Sequence, residues 1–113
     1  MPLPLNIYQT ITHVVGVNTV GIYTAPVGYS GVVLLAQAAN IGNDTHTVSF
    51  SHKRSSVGVA VTTEIVKDLP IPASDSVDLL HGKLILESGD ALQIRGDSST
   101  DLKFIASILE TLN

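Results

Sequence analysis

The sequence predicts an all-β protein: a two-sheet antiparallel β-sandwich, jelly-roll-like, of about seven to nine strands. Two observations carry this expectation. Between Glu64 and Glu110, short apolar runs are separated at regular intervals by Pro-Ile-Pro, Ala-Ser-Asp-Ser, His-Gly-Lys, Ser-Gly-Asp and Gly-Asp-Ser-Ser. Runs of about four to eight residues punctuated in this way read as successive strands. Elsewhere, segments such as Ile7–Val15 and His46–Arg54 alternate with the period of two that a half-buried strand requires.

In Ile7–Val15, Ile7, Gln9, Ile11 and His13 fall on one side and Tyr8, Thr10, Thr12 and Val14 on the other. Val17–Thr24 is a second strand, with an internal glycine that marks a bulge. Ala25–Gly31 is a loop, and Val32–Asn40, apolar on both faces at first, belongs in the middle of a sheet. Residues 41–45 read as a hairpin turn in which Gly42, Asn43 and Asp44 supply positive-φ positions. His46–Arg54 then places Val48 and Phe50 inward and Thr47, Ser49 and Ser51 outward.

Ser55–Gly58 turns the chain into Val59–Asp68, and Leu69–Ala73, with two prolines, is an extended crossover. Val77–Gly82 with Lys83–Glu87, Ala91–Arg95 and Leu102–Glu110 complete the strands. Leu92 and Ile94 face in, whereas Gln93 and Arg95 face out. The last strand carries Leu102, Phe104, Ala106 and Ile108 on one face and Ile105 and Leu109 on the other. Its residues also show helical 3–4 spacing, but it follows a strand after a short turn and completes an antiparallel pattern, so strand is expected.

At 113 residues the chain is one β-sandwich domain, residues 7–113, preceded by an extended arm, residues 1–6, with two prolines. Hydrophobic residues make up 44% and charged residues 14%, against roughly 25% charged in an average soluble domain. Mean hydropathy is +0.35. So small a domain needs more charge than this to coat itself, so part of its surface is expected to be covered by sister copies or a larger assembly. A net charge of −4 with scattered Lys and Arg argues against nucleic acid as a partner. The absence of cysteine excludes disulfides, thiol chemistry and Cys-ligated zinc. MPLPLNIYQT has neither a basic nor an apolar signal-peptide region, and the apolar runs fall far below the roughly 18 residues of a membrane span.

No catalytic, cofactor or metal site is expected. His46 and His52 share a strand face but, six residues apart at roughly 3.3 Å each, cannot share a metal. His13 and His81 are isolated in the sequence. The acidic residues cluster in turns, where Asp bonds to nearby backbone N–H groups; Asp75–Asp78 and Asp97–Asp101 imitate a calcium loop only thinly. Arg95-Gly96-Asp97 spells an adhesion tripeptide at a strand end and is assigned no adhesion role. Lys53-Arg54 reads as an exposed hairpin end. No serine has nucleophile-elbow context. Phe50 and Phe104 read as core, which leaves Tyr29, in the Gly-Tyr-Ser-Gly loop, as the single candidate platform for a sugar.

The succession YTAPVGYSGVVLLAQAANIGNDTHTVSF, VKDLPIPASDSVDLLHGKLILESGDALQI and DLKFIASILE resembles a family of small virion proteins of tailed bacteriophages, including cyanophages. The matching residues are spread from Tyr23, Thr24, Pro26 and Gly28 through Gly82, Lys83, Glu87, Gly89 and Asp90 to Ser107, Leu109 and Glu110. They mark turns and strands, not a site. The resemblance implies a non-enzymatic structural role: an oligomeric capsid decoration or cement protein, or a neck or tail accessory component. The implied partners are further copies of the chain, for instance in a trimer, and major capsid or tail proteins, within a virion assembled in the host cytoplasm. The expected interface comprises Pro2, Leu3, Pro4 and Leu5 of the arm with Ile105 and Leu109 of the last strand. The rival expectation is a host-recognition or carbohydrate-binding module at a tail tip or fibre, using Tyr29 and the Gly42–Thr45 turn.

Overall fold

The computed structural model describes residues 6–55 and 60–113. Nine strands, and no helix among the described residues, follow one another: β1 (Asn6–Val14), β2 (Val20–Thr24), β3 (Tyr29–Asn40), β4 (His46–Arg54), β5 (Val61–Ile71), β6 (Ser76–Asp78), β7 (Leu84–Leu86), β8 (Ala91–Gly96) and β9 (Leu102–Leu112). They form two antiparallel sheets. The first has the order β1-β9-β3, with β6 and then β7 both lying along the far side of β3; the second has the order β2-β8-β4-β5. Counted as one interrupted strand, β6 and β7 complete two four-position sheets, between which the chain crosses after nearly every strand. That is a jelly-roll-like β-sandwich.

The last segment is a strand because its apolar residues serve a period of two. Leu102, Phe104, Ala106, Ile108 and Glu110 are buried, while Lys103 and Ile105 are exposed. β9 pairs with β1 on one side and β3 on the other, so its inward row is the spine of the first sheet. β1 alternates as expected, with Ile11 packed on the core. The glycine of β2 sits at a register shift between Gly21 and Tyr23.

Between the sheets lies one core cluster, in which Phe50 of β4 and Phe104 of β9 meet with ring centroids 5.6 Å apart. Aromatic pairs at such spacing add to area burial. Leu92 and Ile94 of β8 and Leu86 of β7 close the cluster.

Four local expectations are corrected. Residues 41–45 are not a hairpin, because β3 and β4 belong to different sheets, and Gly42, Asn43 and Asp44 are not among the positive-φ residues. The corner is held instead by buried Asn40, whose amide donates to the carbonyls of Asp44 (2.7 Å) and Ile71 (2.9 Å) and accepts from the Gly42 N–H (2.9 Å). Leu69–Ile71 is the end of β5 and not a free crossover: Pro70 pairs with Thr47. A proline is tolerated there because β5 is an edge strand and needs no donor on its outer side.

Ser49, expected to point to water, retains 6% of its surface. Register shifts around Phe50 bring Asp68, at φ 49°, against it, and the Asp68 N–H donates to Ser49 Oγ at 2.9 Å. Asn6, assigned to the arm, is the first residue of β1; residues 1–5 and the rest of the Ser55–Gly58 turn beyond Ser55 lie outside the described residues.

Candidate assembly surface

The outer faces of the two sheets differ in chemistry. On the β2-β8-β4-β5 sheet, Lys53 stands opposite Thr62 and Ser51 opposite Glu64, with Gln93 and Arg95 beside them on β8. Ser51, Thr62, Glu64, Gln93 and Arg95 line a polar depression of about 340 Å³. Hydroxyls, an amide and charges of both signs make this an ordinary wet face.

The other face carries more apolar side chains among its hydroxyls and amides. One row crosses four strands in continuous register: Tyr8 on β1 faces Leu109 on β9, Leu109 faces Val32 on β3, and Val32 faces Ile85 on β7. Tyr8 is 77% exposed and Ile85 64% exposed, while Val32 and Leu109 are half-buried. A bulge in β3 between Val33 and Leu35 turns two successive leucines, Leu34 and Leu35, outward beside this row. Toward the other end of the sheet, Ile105, with Thr12 and Gln37 across from it, lines a shallow groove of about 430 Å³ together with Val14, Ala39 and Lys103. Within the strands of this face, Asp78, held by the Gln37 amide at 2.7 Å, and Lys103 carry charge.

Of the expected interface, Ile105 and Leu109 stand on the same outer sheet face, and Pro2, Leu3, Pro4 and Leu5 lie outside the described residues. Tyr8, Val32, Leu34, Leu35 and Ile85 escaped the sequence reading. Each is unremarkable alone, and only strand order puts them in one patch. Tyr29 is corrected as a ligand platform: it retains 8% of its surface and belongs to the core side of β3. Its backbone carbonyl accepts from the Ser88 hydroxyl at 2.6 Å. A sugar needs an open aromatic face, which this ring does not offer.

The turn aspartates are fasteners. Asp97 and Asp101, from the β8–β9 turn, converge on the His46 ring: Nδ1 is 2.9 Å from Asp97 Oδ1 and Nε2 is 3.1 Å from Asp101 Oδ2. Two ionised carboxylates can only accept, so this geometry suits the doubly protonated imidazolium. Desolvation opposes that charge, but the hydrogen bonds to Asp101 and Asp97 and their charges outweigh it, raising the pKa above its usual 6.5.

Buried Asp90 fastens the opposite turns, accepting from Ser55 N–H (3.1 Å) and Glu87 N–H (3.1 Å), with His52 Nε2 at 3.3 Å. Burial raises its pKa, and these donors more than reverse the effect. Arg54 pairs with Glu87 at 2.8 Å, and Arg95 approaches Asp68 at 3.8 Å, so the adhesion-like tripeptide is spent on internal ties. Among the described residues no group of three or more His, Asp or Glu could hold a metal.

Comparison with solved structures finds this architecture in particle and appendage proteins. The chain is similar to one in the T13 viral particle of infectious bursal disease virus, at 8% identity and a TM-score of 0.59, covering 97% of this chain and 32% of that one. It is similar to a chain in the acid-stable capsid structure of Helicobacter pylori bacteriophage KHP30, at 11% identity and a TM-score of 0.53, covering 96% and 89%. A third likeness is to the disulfide-linked pili of Bacillus endospore appendages, at 14% identity and 0.52, covering 96% and 88%. The chain spans about a third of the bursal disease virus protein and most of the other two. At these identities the shared property is the fold. No family profile and no curated protein sequence matches the chain.

Proposed function

We propose that this chain is a non-enzymatic structural subunit of a bacteriophage particle, an oligomeric decoration or cement protein of the capsid or a neck or tail accessory component. The observation that carries the reading is the apolar row on the outer face of the β1-β9-β3-β6/β7 sheet. A jelly-roll-like domain with one wet face and one face richer in apolar side chains is built to be covered on one side, because a contiguous apolar surface of this kind marks a protein contact. Its chemistry suits a protein partner: aliphatic and aromatic side chains with few charges, as in the centre of an interface. The likeness of its fold to chains of viral particles and the resemblance of its sequence to small phage virion proteins both support that setting.

In this reading Ile105 and Leu109 lie within the contact, and Pro2, Leu3, Pro4 and Leu5 extend it as an arm across a neighbour. Each contact is modest, at roughly 25 cal/mol per Å² of apolar surface removed from water. Repetition over a symmetric lattice makes the sum large. Electron-microscopy reconstruction of the intact particle tests this. The expected map shows the domain at repeated positions, with the Tyr8–Ile85 face against protein and the Ser51–Glu64 face toward solvent. Absence from the particle, or the opposite orientation, overturns it. Deleting residues 1–5, which stops short of β1, should weaken attachment more than folding. The carbohydrate-binding alternative loses the platform expected of it with the burial of Tyr29.

A further inference from the structure

The four rims of the two sheets are unequally defended. A bare strand edge offers unpaired N–H and C=O groups to any other strand, and proteins blunt such edges with charge, proline, bulges or brevity. β5 carries Glu64, Lys67, Asp68 and Pro70, with register shifts opposite Phe50. β2 has five residues and its own register shift. The rim made by β6 and β7 is two fragments of three residues each. β1 has none of these devices. Its nine residues, Asn-Ile-Tyr-Gln-Thr-Ile-Thr-His-Val, include no Lys, Arg, Asp, Glu, Pro or Gly, and they pair with β9 in unbroken register from Asn6 to Val14. No described strand lies on the other side of β1.

We infer that β1 is a self-pairing edge, which joins antiparallel to β1 of a second copy about a two-fold axis through Thr10 and makes the two β1-edged sheets continuous. The occupant is argued from self-complementarity. About such an axis Thr10 meets Thr10, Tyr8 meets Thr12 and Asn6 meets Val14 on the outer face, while Gln9 meets Ile11 and Ile7 meets His13 on the inner face. No crossing opposes two permanent charges, and threonine–threonine and aromatic–β-branched pairs are among the favourable cross-strand contacts. A two-fold axis perpendicular to the sheet keeps both outer faces on one side. The Tyr8–Leu109–Val32–Ile85 row of one copy therefore runs into the Thr12–Ile105–Gln37 row of the other. The joint gives the proposed particle subunit its mode of self-association, but it rests on the edge alone and holds whether or not the protein resides in a virion.

Charge at residue 10 tests the joint. The full-length protein, Thr10→Lys, Thr10→Glu and an equimolar mixture of the two variants are compared by sedimentation over a wide concentration range. Circular dichroism confirms that each is folded. The wild type should dimerise, and each single variant should raise the dissociation constant by up to about fivefold, the like-charge cross-strand penalty. The mixture should regain dimer, because Lys then faces Glu. In parallel, hydrogen exchange of the β1 amides that point away from β9 should slow as wild-type concentration rises and stay fast in Thr10→Lys. A wild type that remains monomeric overturns the inference. So does a dimer that is indifferent to the charge at residue 10, which points to the Tyr8–Ile85 face instead and leaves the particle reading standing. Purified protein is used throughout, so absence from the particle bears on that reading alone.

Discussion

Tyr23 of β2 and Glu110 of β9 stand 87 residues apart in the chain, yet the tyrosine hydroxyl donates a hydrogen bond to the Glu110 carboxylate across the gap between the sheets. Glu110 retains 2% of its surface, so this phenol stands in for the water its carboxylate has lost. Gly31 makes room: a Cβ there would already touch the Tyr23 ring at 3.4 Å. Burial first, then the bond to Glu110 and its charge, push the tyrosine pKa well above 10.0.

Tyr23→Phe should therefore cost about 1.5–3 kcal/mol in urea unfolding, the range for a hydrogen bond to a charged group. Adding Glu110→Gln should cost less than the sum of the single losses, since the partners act as one unit. Because the folded-state pKa is raised, the stabilisation is complete below pH 10.0 and is lost as pH climbs through the folded value. Additive losses would refute the coupling.

Stability should decline on both sides of a plateau in pH. The His46 contribution is complete below pH 6.5 and fades as pH rises through the raised folded-state value. Asp90 behaves oppositely: its contribution is present above pH 3.8 and is lost as pH falls through the lowered folded-state value. In thermal melts across pH, His46→Asn should flatten the neutral-side decline and Asp90→Asn the acid-side one. Profiles that parallel the wild type on both flanks contradict these assignments.

Gly96 ends β8 where there is no space for a side chain. An added Cβ would lie 2.5 Å from Leu102 Cδ1 and 3.1 Å from both the Thr47 carbonyl and Val15 Cγ1. Gly96→Ala should destabilise the protein by about 1–3 kcal/mol, the usual cost of overpacking. Gly21→Ala, with nothing within 4 Å, is the matched control and should change stability much less. Chemical denaturation of the two variants decides between them.

Polar substitutions on the Tyr8–Ile85 face separate folding from assembly. Tyr8→Ser with Ile85→Ser should leave unfolding free energy within about 0.5 kcal/mol, as for other surface positions. The same pair should lower occupancy on purified particles. Loss of folding without loss of attachment reverses the roles assigned to these side chains.

Much of the fold was legible because it is written at short range. The alternation of β1, β8 and β9, and of β4 apart from Ser49, identifies inward and outward residues, and the punctuation between Glu64 and Glu110 marks the ends of strands. What stayed hidden depends on strand order. Ile41–Thr45 looks like a hairpin locally, and only the separation of β3 and β4 into different sheets shows it to be a corner. His46 meets Asp97 and Asp101 at separations of 51 and 55 residues, beyond any local pattern. Ile105 and Leu109 could be placed on an outer face from parity alone. Tyr8, Val32 and Ile85 could not be joined to them without the pairing register. The glycines around Tyr29 suggest an open loop, whereas the strand begins at that residue.

The interruption between β6 and β7 limits how far copies of this chain can concatenate. A ribbon lengthens indefinitely only if every subunit presents two compatible borders, and head-to-tail repetition of that kind yields filaments. Here the border opposite β1 is broken into two stubs separated by Leu79–Lys83. A doubled sheet fused at β1 would expose only stubs at its flanks. Its growth ends at two, which yields a closed building block in place of a fibre.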